Sequence, residues 1–125
     1  MKTVLPSGPL SLKGLIDYQP DSVVSKEVLR TPNGTVTLFA FDEEQGLSEH
    51  TAPFDVVTYI VEGEAEITIS GTTYTVKEGE LIRMPAGEPH ALQAKRPFKM
   101  GVWGSMEQKT RLRGKPTKIS ILGCL

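Results

Sequence analysis

The sequence has little of what disulfide-stapled, secreted or membrane-spanning proteins need. Its 125 residues include one cysteine, Cys124, which cannot form a disulfide within the chain and therefore fits a reducing compartment. No apolar run approaches the length of a membrane span. Residues 1–15 lack the apolar stretch of a signal peptide, because Pro6, Gly8 and Pro9 interrupt them. We therefore expect a cytoplasmic protein with no membrane partner.

Neither sign of charge is in excess. The chain has 14 basic and 15 acidic residues, for a formal net charge of −1. This balance predicts no electrostatic surface for nucleic acid. The basic residues do gather late in the chain, and we interpret that run first as a solvated tail and second as an anion-binding patch. The run consists of Lys109, Arg111, Arg113, Lys115 and Lys118.

Long stretches of helical periodicity are also missing. The best helical candidate, Ser11–Tyr18, is only about one or two turns long and needs tertiary contacts to form. Twelve glycines and nine prolines instead punctuate short apolar runs. In residues 64–70, apolar and polar side chains alternate as in a strand with one dry face and one wet face.

Most of the chain is predicted as short strands separated by glycine and proline turns. Turns are predicted at residues 31–34 and 70–71, and a kink or bulge at Glu62-Gly63. The strand at 81–84 is expected to be buried. Such a pattern indicates an all-β sandwich or barrel. The predicted strands are residues 22–30, 35–41, 56–61, 64–70, 72–76, 81–84, 90–94 and 98–103, with a weaker candidate at 118–122.

The most informative segment is residues 79–94. A glycine ends one turn, a short strand follows, and a proline–glycine reversal leads into His90, which begins the next strand. Strand alternation then places Leu92 and Ala94 on the same face as His90.

This segment resembles the second motif of the cupin superfamily, G-x5-P-x-G-x2-H-x3-N. Gly79, Pro85, Gly87 and His90 match that motif at the right spacing, and Ala94 replaces its final asparagine.

Residues 46–63 resemble the first cupin motif, G-x5-H-x-H-x3,4-E-x6-G. His50 matches the first histidine, and Gly63 matches the closing glycine. Ala52 stands where the second histidine belongs, and Val56 stands where the glutamate belongs. The opening glycine lies nearer to the first histidine than the motif requires.

The resemblance implies an all-β fold, a jelly-roll cupin β-barrel, with a short N-terminal helical segment before it. We expect an N-terminal arm over residues 1–21, the barrel over 22–104, and a C-terminal tail over 105–125 in which 118–122 is the candidate for an extra strand. Cupins are often homodimers, so a second copy of the chain is an expected partner, beside a small-molecule ligand.

The resemblance also implies where chemistry would occur. Many cupins hold a divalent metal ion with three histidines and one glutamate, and His50 and His90 take two of these four positions. One bound divalent ion (Zn, Fe, Mn or Ni) is therefore one expectation. The other is two neutral histidines that hydrogen-bond a ligand or water. The nearest carboxylates, Glu49 and Asp55, should point away, because neighbouring strand residues face opposite sides.

Strand parity predicts which side chains surround the two histidines. The set is more apolar than that of a metal-rich cupin and suits a mostly apolar small ligand, with Thr58 or Tyr59 as a further polar contact. Several members are also expected as plain core. The predicted lining is Phe39, Phe41, His50, Ala52, Thr58, Ile60, His90, Leu92, Met100 and Val102.

Two further residues have alternatives that the sequence leaves open. Trp103 is expected either in the core or in a subunit interface. Arg83 stands in a strand between Ile82 and Met84, and it is expected to pair with an acidic residue across the sheet or to reach a bound anion.

Three functions follow as hypotheses. The first is a cupin of undefined specificity that binds a small, mostly apolar molecule near His50 and His90. The second is a metal-dependent cupin enzyme of the dioxygenase, isomerase or decarboxylase type with a reduced two-histidine site. The third is a ligand-sensing or interaction module that acts as a dimer.

Overall fold

The computed structural model describes residues 5–105, which form two antiparallel sheets. The larger sheet has the strand order β1-β2-β9-β4-β7, and the smaller has the order β3-β8-β5-β6. This is the predicted jelly-roll barrel. The elements are a 3-10 helix at Lys13–Leu15 and the strands β1 Val23–Thr31, β2 Gly34–Phe41, β3 Gly46–His50, β4 Val56–Glu62, β5 Glu64–Ile69, β6 Thr72–Lys77, β7 Leu81–Met84, β8 His90–Gln93 and β9 Phe98–Ser105.

The predicted strands are all present within the described residues, with ends shifted by at most two positions. The helical segment is shorter than predicted, because Leu12 provides no side-chain cap and Gly14, in its middle, is a poor helix former. β3 was not predicted, since Leu47 is its only apolar residue. The tail beyond 105, with its basic run and extra-strand candidate, lies outside the described residues. No helix within residues 5–105 is long and apolar enough to cross a membrane.

The prediction that β7 is buried is wrong for most of its length. Leu81 is 65% exposed, and only Met84 at the end of the strand is buried. β7 forms the edge of the larger sheet, where it pairs with β4 alone, so its outer positions face solvent.

The core lies between the two sheets, and β2 is covered on both of its faces. Its odd-numbered residues Phe39 and Phe41 point inward into the main core. Its even-numbered residue Leu38 points outward and packs under the N-terminal arm against Ile16 and Val28. Burying both faces of β2 fixes the arm to the barrel, because apolar area on each face is removed from water.

A polar cluster fastens the same arm to the barrel. Lys99 is only 7% exposed, and its Nζ donates a hydrogen bond to the Lys13 carbonyl at 2.7 Å. That Nζ also lies 5.0 Å from the centre of the Tyr18 ring, within range of a cation–π contact. The Tyr18 hydroxyl donates to a carboxylate oxygen of Glu62 at 2.6 Å. Burial, this bond and the negative charge of Glu62 all raise the pKa of Tyr18.

The outer face of the larger sheet bears on both open alternatives. Arg83 Nη1 lies 3.3 Å from Asp55 Oδ2, which confirms the predicted cross-sheet ion pair. Trp103 is 57% exposed, so its assignment to the core is wrong. It stands next to Val36 and Val57 on the outer face. Its other predicted location, an interface between two subunits, stays a prediction together with the homodimer.

Two glycine turns end their strands as predicted, but their surroundings differ. Gly63 has a φ of +82°, and a Cβ built on it would lie 2.7 Å from the Pro97 carbonyl oxygen. Gly71 has a φ of +87° in the tip of the β5–β6 hairpin, and a Cβ there would meet nothing within 4 Å. Both positions favour glycine, but only Gly63 also needs the space.

Substitution of these two glycines separates backbone strain from crowding. We expect Gly71→Ala to lower the free energy of unfolding by about 1–2 kcal/mol, the cost of a left-handed conformation for a side-chain-bearing residue. Gly63→Ala should cost about 1–3 kcal/mol more, since the Pro97 backbone must also move. Urea denaturation of both variants measures the difference. Equal losses of unfolding free energy would contradict the inference that a Cβ at position 63 is crowded by the Pro97 backbone.

Candidate functional site

The two histidines meet on neighbouring strands of the smaller sheet. β3 and β8 pair in antiparallel register, with His50 opposite His90 after an irregularity between Leu47 and His50. Their ring centres are 4.4 Å apart, and the ring planes meet edge to face at 70°. His90 is buried, while His50 is half-buried. The histidine pair is thus one cluster at the boundary between the barrel interior and solvent.

Backbone carbonyls fix the protonated nitrogen of each ring. His50 Nδ1 lies 2.7 Å from the Ser48 carbonyl oxygen, and His90 Nδ1 lies 3.2 Å from the Glu88 carbonyl oxygen. A carbonyl oxygen only accepts hydrogen bonds, so each Nδ1 must carry the proton and donate. In the neutral rings both Nε2 atoms therefore keep their lone pairs. The pair offers two acceptors, or two metal ligands.

His90 favours the neutral form. Burial lowers the pKa of His90, and the nearby His50 ring lowers it further, while the bond to the Glu88 carbonyl partly opposes these effects. A lowered pKa means that His90 is uncharged at neutral pH. The His90 ring therefore offers no positive charge to an anion.

The histidines lie beside a narrow, mostly apolar cavity inside the barrel. It measures about 20 Å³, which is room for one or two water-sized groups. The hydroxyl of Thr58 is fully buried and has no hydrogen-bond partner within residues 5–105. The lining consists of Phe39, Leu47, His50, Ala52, Val56, Thr58, Met84, His90, Leu92, Met100 and Val102.

Two residues expected in the lining, and one expected as a polar contact, lie elsewhere. Phe41 stacks on Phe98 in the core, with ring centres 4.5 Å apart. Tyr59 follows Thr58 on the strand, so it faces the outside of the barrel, where its ring covers Gly101. Ile60 is buried in the main core but does not reach the cavity.

Three lining residues were not predicted. Leu47 was missed because its strand, β3, was not recognised. Met84 and Val56 stand opposite each other in the register of β4 with β7. The cupin motif identifies Val56 as the residue in the glutamate position and does not by itself place it in the lining. Strand alternation from Thr58 and Ile82 could have identified both residues, since it puts them on the inner face.

Carboxylates stay away from the histidines, as expected. Asp55 bonds Arg83 and also accepts a hydrogen bond from the Ala86 backbone N–H at 2.8 Å. Glu49 is exposed. Within residues 5–105, no group of three or more His, Cys, Asp or Glu side chains is placed to hold a metal ion. A metal at the histidine pair would need another kind of third donor.

The sheet topology and the histidine pair define a small jelly-roll barrel with its candidate site inside. The family model of the cupin domain matches residues 37–103, more than half of the 125 residues. The chain therefore belongs to the cupin family. Comparison with curated proteins gives no match.

Solved structures from three bacteria share this barrel. A conserved protein of unknown function from Streptococcus pyogenes is 34% identical, with a TM-score of 0.77 over 83% of this chain and 91% of that one. A cupin superfamily protein from Desulfitobacterium hafniense is 27% identical, with a TM-score of 0.77 over 83% and 95%. A cupin 2 conserved barrel domain protein from Leptotrichia buccalis is 31% identical, with a TM-score of 0.74 over 77% and 47%.

The protonation of the pair can be read directly, because the chain has only 2 histidines. We expect both rings to be protonated at Nδ1 at neutral pH, the reverse of the form that free histidine prefers. Long-range ¹H–¹⁵N correlation spectra of the imidazoles measure this, and His50→Ala assigns the remaining signal to His90. Protonation at Nε2 in either ring would contradict the two carbonyl bonds.

Proposed function

We propose that this cupin binds a small, mostly apolar molecule in the barrel, holding one polar group of that molecule between His50 and His90. The observation that supports this is the geometry of the pair. Each Nε2 has no hydrogen-bond partner within residues 5–105, and the other walls of the adjoining cavity are nearly all apolar. Pockets of this composition use a few polar groups to orient an apolar ligand.

The protonation of the pair limits the chemistry of the ligand. Two neutral imidazoles with free Nε2 atoms accept hydrogen bonds, so the group between them must be a donor such as a hydroxyl. A carboxylate would face lone pairs and would lose its hydration without a counter-charge. In the same cavity, the Thr58 hydroxyl has no hydrogen-bond partner within residues 5–105, and it can both donate and accept, which suits a polar end group.

The size of the cavity limits how far the ligand enters. About 20 Å³ admits a hydroxyl and the carbon next to it, not a whole ring. The apolar body would therefore stay on the solvent side, against Leu47, which is the half-buried apolar residue of the lining.

Phenol is a direct probe of this proposal. We expect phenol to shift the Nε2 resonances of both histidines with a Kd of about 1 mM, the affinity range of so small a ligand. Anisole, which has the same ring but no hydroxyl donor, and benzoate, which is an anion, should bind much more weakly. Titrations followed by imidazole ¹⁵N shifts measure all three.

Two variants control the phenol experiment. His90→Ala should abolish binding, whereas Glu49→Ala, which changes an exposed neighbour of His50, should leave it unchanged. Equal binding of phenol and benzoate would count against the donor requirement. Phenol binding that survives in His90→Ala would place the ligand site elsewhere.

A second candidate function, a metal-dependent enzyme, is favoured by the same carbonyl bonds. Histidines that bind metals usually donate their other ring N–H to a carbonyl or carboxylate, which aims the free nitrogen. Both rings have this arrangement. A bound divalent ion (Zn, Fe, Mn or Ni) would polarise a substrate as a Lewis acid, in a reaction of the dioxygenase, isomerase or decarboxylase type.

Elemental analysis tests the metal candidate. If a metal is bound, protein purified without added metal and dialysed should retain one ion per chain, and both His50→Ala and His90→Ala should lose it. Glu49→Ala serves as the control that keeps the metal. No retained metal, together with no thermal stabilisation by added ions, would reject this candidate and leave the first one standing.

A dimeric ligand-sensing or interaction module remains the third hypothesis. Trp103 and Leu29 are exposed on the outer face of the larger sheet, where a second copy of the chain could bury them.

A further inference from the structure

Met84 stands at the same end of the barrel as the histidine pair. It is the last residue of β7, and His90 is the first residue of β8, so the two residues flank one five-residue reversal. The Gly87 N–H in that reversal donates to the Ala52 carbonyl at 2.8 Å, which ties it to the chain just beyond His50. Met84 is buried and lines the same cavity as both histidines.

The other methionine of the cavity lies farther away along the barrel. Met84 is opposite Val56 on β4, whereas Met100 is opposite Ile60. Val56 and Ile60 are four positions apart on β4, a distance of about 13 Å along the strand. The Met84 thioether therefore lies at the end of the barrel that holds the histidine pair. Met100 lies farther along the barrel and can serve as the control in an experiment.

The donor atoms around the cavity form an unusual set. Of its lining side chains, only the two imidazoles, the two thioethers and the Thr58 hydroxyl contain a heteroatom, and none carries a carboxylate or a thiolate. A divalent ion would be buried there without any negative ligand, which is costly because the desolvation penalty of an ion rises with the square of its charge. A monovalent ion escapes most of that cost.

The softness of these donors favours one monovalent ion. Thioether sulfur selects Cu(I) among the common biological metals, and imidazole also binds copper. Cu(I) accepts low coordination numbers, so two nitrogens and one sulfur can complete its shell. An octahedral ion such as Mn²⁺ would need several waters, and a cavity of about 20 Å³ has no room for them.

We propose that the cavity binds a single cuprous ion between His50 Nε2, His90 Nε2 and Met84 Sδ. This rests on the proposed metal occupancy of the histidine pair and changes the expected metal from a divalent ion to Cu(I). Met84 is then the third donor in a site that has no carboxylate.

Competition with the Cu(I) chelator bicinchoninate, under nitrogen, tests the proposal. Wild-type protein should withdraw one Cu(I) per chain from the coloured chelate. Met84→Leu, which preserves side-chain volume, should weaken Cu(I) binding by at least the roughly tenfold that losing an outer partner of a metal ligand costs. Met100→Leu, a matched change in the same cavity, should leave Cu(I) binding unchanged.

A second measurement does not depend on any substitution. Cu(I) is diamagnetic, so the methyl signals of the 4 methionines stay sharp when it binds. Adding Cu(I) should shift the Met84 methyl signal strongly and the Met100 signal little. Equal shifts, or no shift at Met84, would overturn the assignment of the third donor.

The possible results distinguish the Cu(I) site from the divalent metal site of the second candidate function. Zn²⁺ binding that needs both histidines, with Cu(I) affinity unchanged in Met84→Leu, would overturn the cuprous site and leave the divalent metal proposal standing. Binding of neither Cu(I) nor Zn²⁺ would overturn both. Loss of Cu(I) binding in His90→Ala and in Met84→Leu, with Met100→Leu unaffected, supports the three-donor site.

Discussion

The ladder between β3 and β8 is the interaction on which the candidate site depends. It sets His50 opposite His90, although forty residues separate them along the chain. The reversal before β8 is held in place by the bond from Gly87 to the Ala52 carbonyl. Without this pairing, the segment that carries His50 has little reason to form a strand, since Leu47 is its only apolar residue. The site and the local fold are therefore stabilised together.

The same ladder determines what the histidines can do. Each ring donates through Nδ1 to a carbonyl two residues earlier, and this leaves Nε2 free. The described residues place no carboxylate in the cavity wall, so the pair lacks the ligand that completes a common divalent site. The Nε2 of a neutral ring can accept a hydrogen bond, take up a proton or ligate a cation. The small volume of the cavity then favours a hydroxyl end or a bare ion over a large ligand.

Residue pattern predicted most of the strands for a clear physical reason. Alternation of apolar and polar residues reports burial on one face, and glycine and proline mark the turns, so β4, β5 and β6 were predicted to within two residues. The pattern failed where pairing rather than composition makes the strand, as in β3. It also failed at β7, where apolar residues lie at a sheet edge and Leu81 faces solvent.

By itself, the sequence determined the barrel, the resemblance to cupins and the two histidines, since these depend on local spacing and on residue types along the chain. The tertiary structure alone decided which neighbours share their cavity. It moved Tyr59 to the outer face, assigned Phe41 to the core, and brought in Met84 from another strand. Strand alternation gives the face on which a residue lies, but the pairing of distant segments decides which residues on that face share one cavity.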